Sequence, residues 1–196
     1  MTILVITTGG TIGAMPYKDV KHPPKVSTMP GKGQDFVRTG LQKITNFKTR
    51  CLPLEARDSK DIDDAYRQML LDTLKAAPES AIMITHGTDA LIKTADFFYK
   101  KLPVDPVLQK KTIIMTGAMV PLSCGAESDG MSNMSFALRQ LSGGMMHPGI
   151  YIVLSDYQDE ATKTGWAPRL HFYKPNSYEK IYDAEDARRS RLRRVN

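Results

Sequence analysis

Residues 3–13 read Ile3-Leu4-Val5-Ile6-Thr7-Thr8-Gly9-Gly10-Thr11-Ile12-Gly13, an unbroken aliphatic run that stops at hydroxyls and a glycine pair. A strand with one wet face alternates apolar and polar residues, whereas a strand covered on both faces reads as continuous hydrophobics. Ile3 to Thr7 is of the second kind and predicts an interior strand. The glycines behind it predict a tight turn, because they reach backbone conformations closed to other residues.

Four further strands are predicted outward from this one: Arg50 to Leu54, Ala81 to Thr85, Thr112 to Thr116 and Ile150 to Ser155. Between them, apolar residues recur at helical spacing. One stripe is Ile62, Ala65, Tyr66, Met69, Leu70 and Leu74. A second is Leu91, Ala95, Phe98 and Leu102, and a third is Met131, Met134, Leu138 and Leu141. Strands alternating with helices predict an α/β domain built on a largely parallel sheet. Ala14 to Gln34 breaks the pattern. It is rich in proline and lysine and reads as a long polar loop, the kind of segment that serves as a lid or as a variable surface excursion.

Composition narrows the function classes. With 196 residues, 41% hydrophobic and 24% charged, the chain has the make-up of a globular protein rather than a disordered one. Its longest apolar run, Ile150 to Leu154, is far below the roughly 20 residues a membrane helix needs. The amino terminus has neither the basic segment nor the apolar segment of a secretory signal, so a cytoplasmic protein without a membrane partner is expected. The net charge is +6, but Arg188, Arg189, Arg191, Arg193 and Arg194 account for five of it and leave the remainder at +1. No aromatic residues interleave with these arginines, and a nucleic-acid partner is not expected. Cys51 and Cys124 are too few for a disulfide framework and are expected as thiols; the four histidines lack metal-ligand spacing, so no metal and no cofactor are expected.

Ligands of open parallel sheets bind beyond the carboxyl ends of the strands. The segments just past the predicted strands therefore sample one edge of the molecule. In chain order they are Thr8-Gly9-Gly10-Thr11, Asp58-Ser59-Lys60-Asp61, His86-Gly87-Thr88-Asp89, Gly117-Ala118-Met119, and Asp156 through Thr164. The glycine turn matches neither dinucleotide nor P-loop spacing. A glycine pair beside threonine suits a different role, in which backbone N–H groups converge on an anionic oxygen while a hydroxyl lies near a carbonyl. Thr88 and Asp89 stand at the predicted start of a helix, where free N–H donors and a partial positive charge gather. A helix-capping threonine and a dipole-facing aspartate would look the same.

Together, Thr8-Gly9-Gly10-Thr11-Ile12 and His86-Gly87-Thr88-Asp89 resemble the two signatures of the L-asparaginase family, in its bacterial threonine amidohydrolase branch. Asp58-Ser59-Lys60-Asp61, Met115-Thr116-Gly117-Ala118-Met119, Asp129-Gly130 with Asn133, and Ala161-Thr162-Lys163-Thr164 agree in the same order. The resemblance covers about residues 2–165. It implies a doubly wound α/β fold with helices on both faces, and hydrolysis of L-asparagine to L-aspartate and ammonia without a cofactor. Thr11 is then the nucleophile, with Thr88, Asp89 and Lys163 as a second catalytic cluster. Gly10, Asp58, Ser59, Lys60, Gly87, Thr88 and Asp89 surround the substrate, Ser59 and Asp89 holding its α-carboxylate and α-amino ends.

The chain also departs from the family pattern. Most members carry a second, carboxy-terminal domain, and residues 166–196 are too few to form it, so a catalytic domain over 1–165 with a carboxy-terminal extension over 166–196 is expected. The family's mobile loop holds a catalytic tyrosine, for which Tyr17 is the candidate. Lys60 stands where the family has a small or amide side chain, and its cation is expected to meet the substrate carboxylate or limit side-chain length. A one-domain site open on one side implies a homo-oligomer. The competing readings are a glutaminase, an ammonia-producing subunit of an amidotransferase, or a non-catalytic binder of amino acids or protein partners.

Overall fold

The amino-terminal aliphatic run forms β1 (Ile3–Gly9), buried along its whole length. A computed structural model of the chain describes residues 1–14, 32–44, 46–144, 146–157 and 166–172. The other strands are β2 (Thr49–Arg57), β3 (Ala81–Thr85), β4 (Thr112–Thr116), β5 (Gly149–Tyr157) and β6 (Trp166–Phe172). They form one sheet in the order β2-β1-β3-β4-β5-β6. The first five run parallel, with Ile3 opposite Thr49, Leu4 opposite Ile82, Ile82 opposite Ile113 and Ile113 opposite Ile150; β6 is antiparallel to β5. All five predicted strands are present, and β2 is longer than predicted at its carboxyl end. At the sheet edge β2 alternates between more and less exposed residues and tolerates Pro53, since only one of its sides needs ladder hydrogen bonds.

Successive residues of a strand point to opposite faces, and the sheet accordingly carries two apolar cores. Leu4, Ile6, Ile82, Ile84, Ile113 and Met115 pack against α2 (Asp64–Ala76) and α3 (Thr88–Lys101). Ile3, Val5, Met83, Ile114 and Val153 pack against α1 (Lys32–Lys43) and α4 (Gly130–Ser142). The predicted α/β fold with helices on both faces is the observed one. The stripe on α2 is rotated from its predicted position: Ala65 and Met69 face outward, while Arg67 and Leu71 turn inward. The sequence reading did not pick out α1, which among residues 35–43 buries Val37, Gly40 and Leu41; its first three residues lie in the stretch read as loop.

These faces set the hand of each crossover. The β1–α1–β2 step moves one way along the sheet over one face, and the β2–α2–β3 and β3–α3–β4 steps move the other way over the opposite face. All three have the same hand. The β4–α4–β5 step continues in the direction of β3–α3–β4 but returns to the α1 face, so its hand is opposite. Parallel crossovers are right-handed in about 98% of cases, and three against one follows that preference with a single exception. The exception puts α4 beside α1 and brings Asp129 and Asn133 under the turn that follows β4.

Candidate active site

The strand order reverses between β1 and β3: the connection leaving β1 goes to one edge and that leaving β3 to the other. A crevice opens at such a point, beyond the carboxyl ends of the strands. Gly10 and Gly87 meet there. Gly10 has φ 79° and leads a short 3-10 turn, Thr11–Gly13. A Cβ on Gly10 would stand 2.4 Å from both Cα and N of Gly87, and a Cβ on Gly87 would stand 2.6 Å from Cβ of Ser59. Three of the segments that end the predicted strands therefore touch, with no room for another carbon between them. Gly117, after β4, closes against the same cluster, where a Cβ would lie 2.7 Å from the His86 carbonyl oxygen and 3.1 Å from Cγ2 of Thr88.

Hydrogen bonds lace these turns together. Thr8 Oγ1 donates to the Thr85 carbonyl at 3.0 Å, joining residues 77 positions apart, and the His86 amide donates to the Thr116 carbonyl at 2.8 Å. The Gly10 N–H donates to the Arg57 carbonyl at 3.1 Å. That amide is committed to the sheet rather than to a substrate oxygen, contrary to the expectation that the glycine pair presents its N–H groups to a ligand. Gly10 contributes its conformation and its close approach instead. Thr7 Oγ1 and Thr85 Oγ1, in register on β1 and β3, are buried without a hydrogen-bond partner among the described residues.

Thr11 is partly exposed at the start of its turn, and Thr88 is buried as the first residue of α3. The helix cap is Gly87, with no side-chain capping bond, so Thr88 does not cap the helix in the ordinary way. Asp89 lies in the first turn of α3, where the helix dipole favours a negative charge. Ser59 and Lys60 occupy a 3-10 turn, Ser59–Asp61, after β2. Ser59 is buried against Gly87, and the Asp58 carboxylate accepts a hydrogen bond from the Lys60 amide at 3.1 Å. Lys60 Nζ reaches Asp89 Oδ2 at 3.4 Å. The expectation for Lys60 concerned a substrate carboxylate; its partner here is Asp89. Lys163 and Tyr17, and most of the loop read as a lid, lie outside the described residues.

Beneath this surface runs a buried relay that the sequence reading did not identify. His86 Nδ1 is 2.8 Å from the Gly87 carbonyl, and Nε2 is 3.0 Å from Thr94 Oγ1. A carbonyl only accepts, so Nδ1 carries the proton; Nε2 of the neutral ring then accepts from the Thr94 hydroxyl. Thr94 Oγ1 in turn accepts from Arg67 Nε at 3.3 Å. Arg67 is 2% exposed, and its fork is completed by Asp64 at 2.6 Å and the Ile62 carbonyl at 2.7 Å. Burial, with the Arg67 charge adding to it, holds the His86 pKa down at about 4, so the imidazole is neutral at physiological pH. A threonine and an arginine on otherwise apolar helical stripes were the available signal for this relay.

A second network braces the turn after β4. The Asp129 carboxylate accepts from the amides of Met119 (2.9 Å) and Val120 (3.0 Å) and from Asn133 Nδ2 (3.1 Å). Asn133 also donates to the Gly117 carbonyl and accepts from Ser155 at 2.6 Å. Burial raises the Asp129 pKa above its ordinary value, against these hydrogen bonds. Among the described residues no group of three or more His, Cys, Asp or Glu side chains is arranged to hold a metal, and Cys51 and Cys124 are free thiols. No helix among them is long and apolar enough to cross a membrane.

The parallel sheet, the paired threonine turns and the helix N-terminus beside them define an α/β protein with a candidate site at the topological switch point. A family model described as Asparaginase, N-terminal, matches residues 2–189, and the chain belongs to that family. The thermostable L-asparaginase from Thermococcus kodakarensis is similar in structure, with TM-score 0.59 and 25% identity over 80% of this chain and 45% of that one. L-asparaginase I from Vibrio cholerae superposes with TM-score 0.62 at 19% identity, covering 89% of this chain and 56% of the other. A probable cytoplasmic L-asparaginase from Campylobacter jejuni gives TM-score 0.60 at 17% identity, covering 88% and 57%. The two less similar sequences speak for the fold alone. The chain thus spans about half the length of these solved relatives, and no curated protein sequence matches it.

Proposed function

We propose that this chain is an amidohydrolase of the L-asparaginase type, acting on the side-chain amide of L-asparagine. The observation that carries this reading is the backbone contact between Gly10 and Gly87, which sets the Thr11 and Thr88 turns against each other at the switch point. Two hydroxyls beside a helix N-terminus are suited to acyl transfer: one attacks while the neighbouring donors stabilise the oxygen that develops charge.

In this mechanism Thr11 Oγ1 attacks the amide carbon, Lys163 accepts the hydroxyl proton, and Thr88 and Asp89 complete the catalytic cluster. Collapse of the tetrahedral intermediate breaks the carbon–nitrogen bond, and the nitrogen leaves as ammonia with the proton returned to it. Water then hydrolyses the acyl-threonine to release aspartate. Lysine serves as a base near neutrality only when its pKa is brought to about 7–8 by burial or neighbouring cations. Ser59, buried against Gly87, lies on the same edge as Thr88 and Asp89 and is assigned to the substrate carboxylate. The reading also includes a cytoplasmic location and a homo-oligomer whose neighbouring subunit screens the site from water.

The test is ammonia release from L-asparagine and from L-glutamine by the purified chain, with Thr11→Ala and Lys163→Met beside it. Release from asparagine that falls by two or more orders of magnitude in both variants supports the reading. Turnover that survives Thr11→Ala overturns the nucleophile, and faster release from glutamine favours a glutaminase. Mass measurement across a dilution series tests the oligomer; a fully active monomer would refute it.

A further inference from the structure

Lys60 stands out among the site residues because its ammonium is already engaged. The Asp58 cap fixes the Lys60 backbone, the 3-10 turn packs against Gly87 through Ser59, and Nζ lies 3.4 Å from Asp89 Oδ2. Asp89 is only 29% exposed, whereas the lysine side chain is 71% exposed. The carboxylate is thus anchored in the site, and the cation reaches it from the rim.

We propose that Lys60 fills the place of a substrate ammonium at Asp89, so that this site accepts ω-amides of dicarboxylic acids whether or not they carry an α-ammonium group. The inference rests on the amidohydrolase reading and concerns its substrate class. An amino-acid substrate brings its own cation to Asp89 and must share the carboxylate with Lys60 or displace it. A des-amino substrate leaves the Lys60–Asp89 pair intact, and its carboxylate end gains a nearby positive charge. Without Lys60 the balance changes: a ligand lacking ammonium leaves a half-buried carboxylate with one cation fewer, while an amino acid supplies that cation itself. An exposed ion pair is worth a factor of about 1.5 to 5, so displacing Lys60 only modestly handicaps an amino acid. Removing it withdraws the cation that a des-amino ligand cannot supply, a loss on the same scale of about 1.5- to 5-fold.

The experiment compares L-aspartate with succinate, which differ only in the α-ammonium, by calorimetric titration of the wild-type chain, Lys60→Gln and Lys60→Arg. Expected are wild-type affinities for the two ligands within about threefold. Lys60→Gln should then shift the ratio toward aspartate by about 1.5- to 5-fold, and Lys60→Arg, which keeps the cation, should retain the wild-type ratio. An unchanged ratio in Lys60→Gln overturns the proposal, as does absence of binding by either ligand. Ammonia release from asparagine and from succinamate is followed in parallel. Turnover with a fixed binding ratio removes the role of Lys60 alone, whereas a shifted ratio without turnover removes the hydrolase reading and leaves the role of Lys60 standing.

Discussion

Replacing Thr94 by valine tests the buried relay behind Gly87 more sharply than any change at the surface. Valine matches threonine in shape, so the substitution opens no cavity and removes only the hydroxyl that accepts from Arg67 Nε at 3.3 Å and donates to His86 Nε2 at 3.0 Å. Both abandoned groups are buried, Arg67 at 2% exposure and His86 at 0%. A buried polar group left unpaired costs about 1–3 kcal/mol. Two such groups give roughly 2–6 kcal/mol, and Arg67 still holds Asp64 and the Ile62 carbonyl, so the expected loss is about 3 kcal/mol. Thr94→Ser keeps the hydroxyl and loses one methyl, worth about 1 kcal/mol. Equilibrium urea unfolding at pH 7 should therefore rank wild type above Thr94→Ser and Thr94→Ser above Thr94→Val. The reasoning is refuted if Thr94→Val lies within about 1 kcal/mol of wild type or is more stable than Thr94→Ser. Because the relay ends on the Gly87 carbonyl, Thr94→Val should also lower turnover more than Thr94→Ser does.

Two further outcomes rest on the same geometry. His86 titrates near 4 in the folded chain and near 6.5 when unfolded, so between these values the unfolded chain binds the extra proton. The stability this confers, roughly 3 kcal/mol, is fully present above pH 6.5 and declines as pH falls toward 4. Asp129 acts in the opposite direction, since its raised pKa lets the native state take up a proton first in the carboxylate range. Denaturant midpoints from pH 7 to 5, with the His86 ring followed by NMR, check this; a ring that protonates near 6.5 would contradict it. Gly10→Ala should destabilise the chain by more than about 2 kcal/mol, because a positive φ and a backbone neighbour at 2.4 Å act together. Gly125→Ala, at φ 65° and ψ −124° with open space around the position, carries backbone strain alone, about 1–3 kcal/mol, and should cost less than Gly10→Ala. Equal midpoints for the two variants would show that the Gly10–Gly87 contact is not tight.

Ile3 to Thr7 could be read as an interior strand because burial on both faces removes every reason for polar residues there. The same logic exposed β3, β4 and β5. It missed α1, which is short and presents little besides Val37, Gly40 and Leu41 to the core. It also turned α2 slightly, because an arginine was not expected inside, although Arg67 is held there by three hydrogen-bond partners. Of the candidate site, the placement was legible: the segments holding Thr11, Ser59 and Thr88–Asp89 were expected on one edge of the sheet, and their turns meet there.

The sequence by itself determined the strand and helix alternation, the glycine turns and the family, because each is encoded over a few neighbouring residues. Tertiary structure alone decided that Gly10 rests on Gly87, that the Gly10 amide serves Arg57, that Lys60 reaches Asp89, and that the last crossover changes hand. Those depend on contacts between residues tens of positions apart. Such contacts are selected by how two apolar faces pack against one sheet, and spacing along the chain does not record that choice.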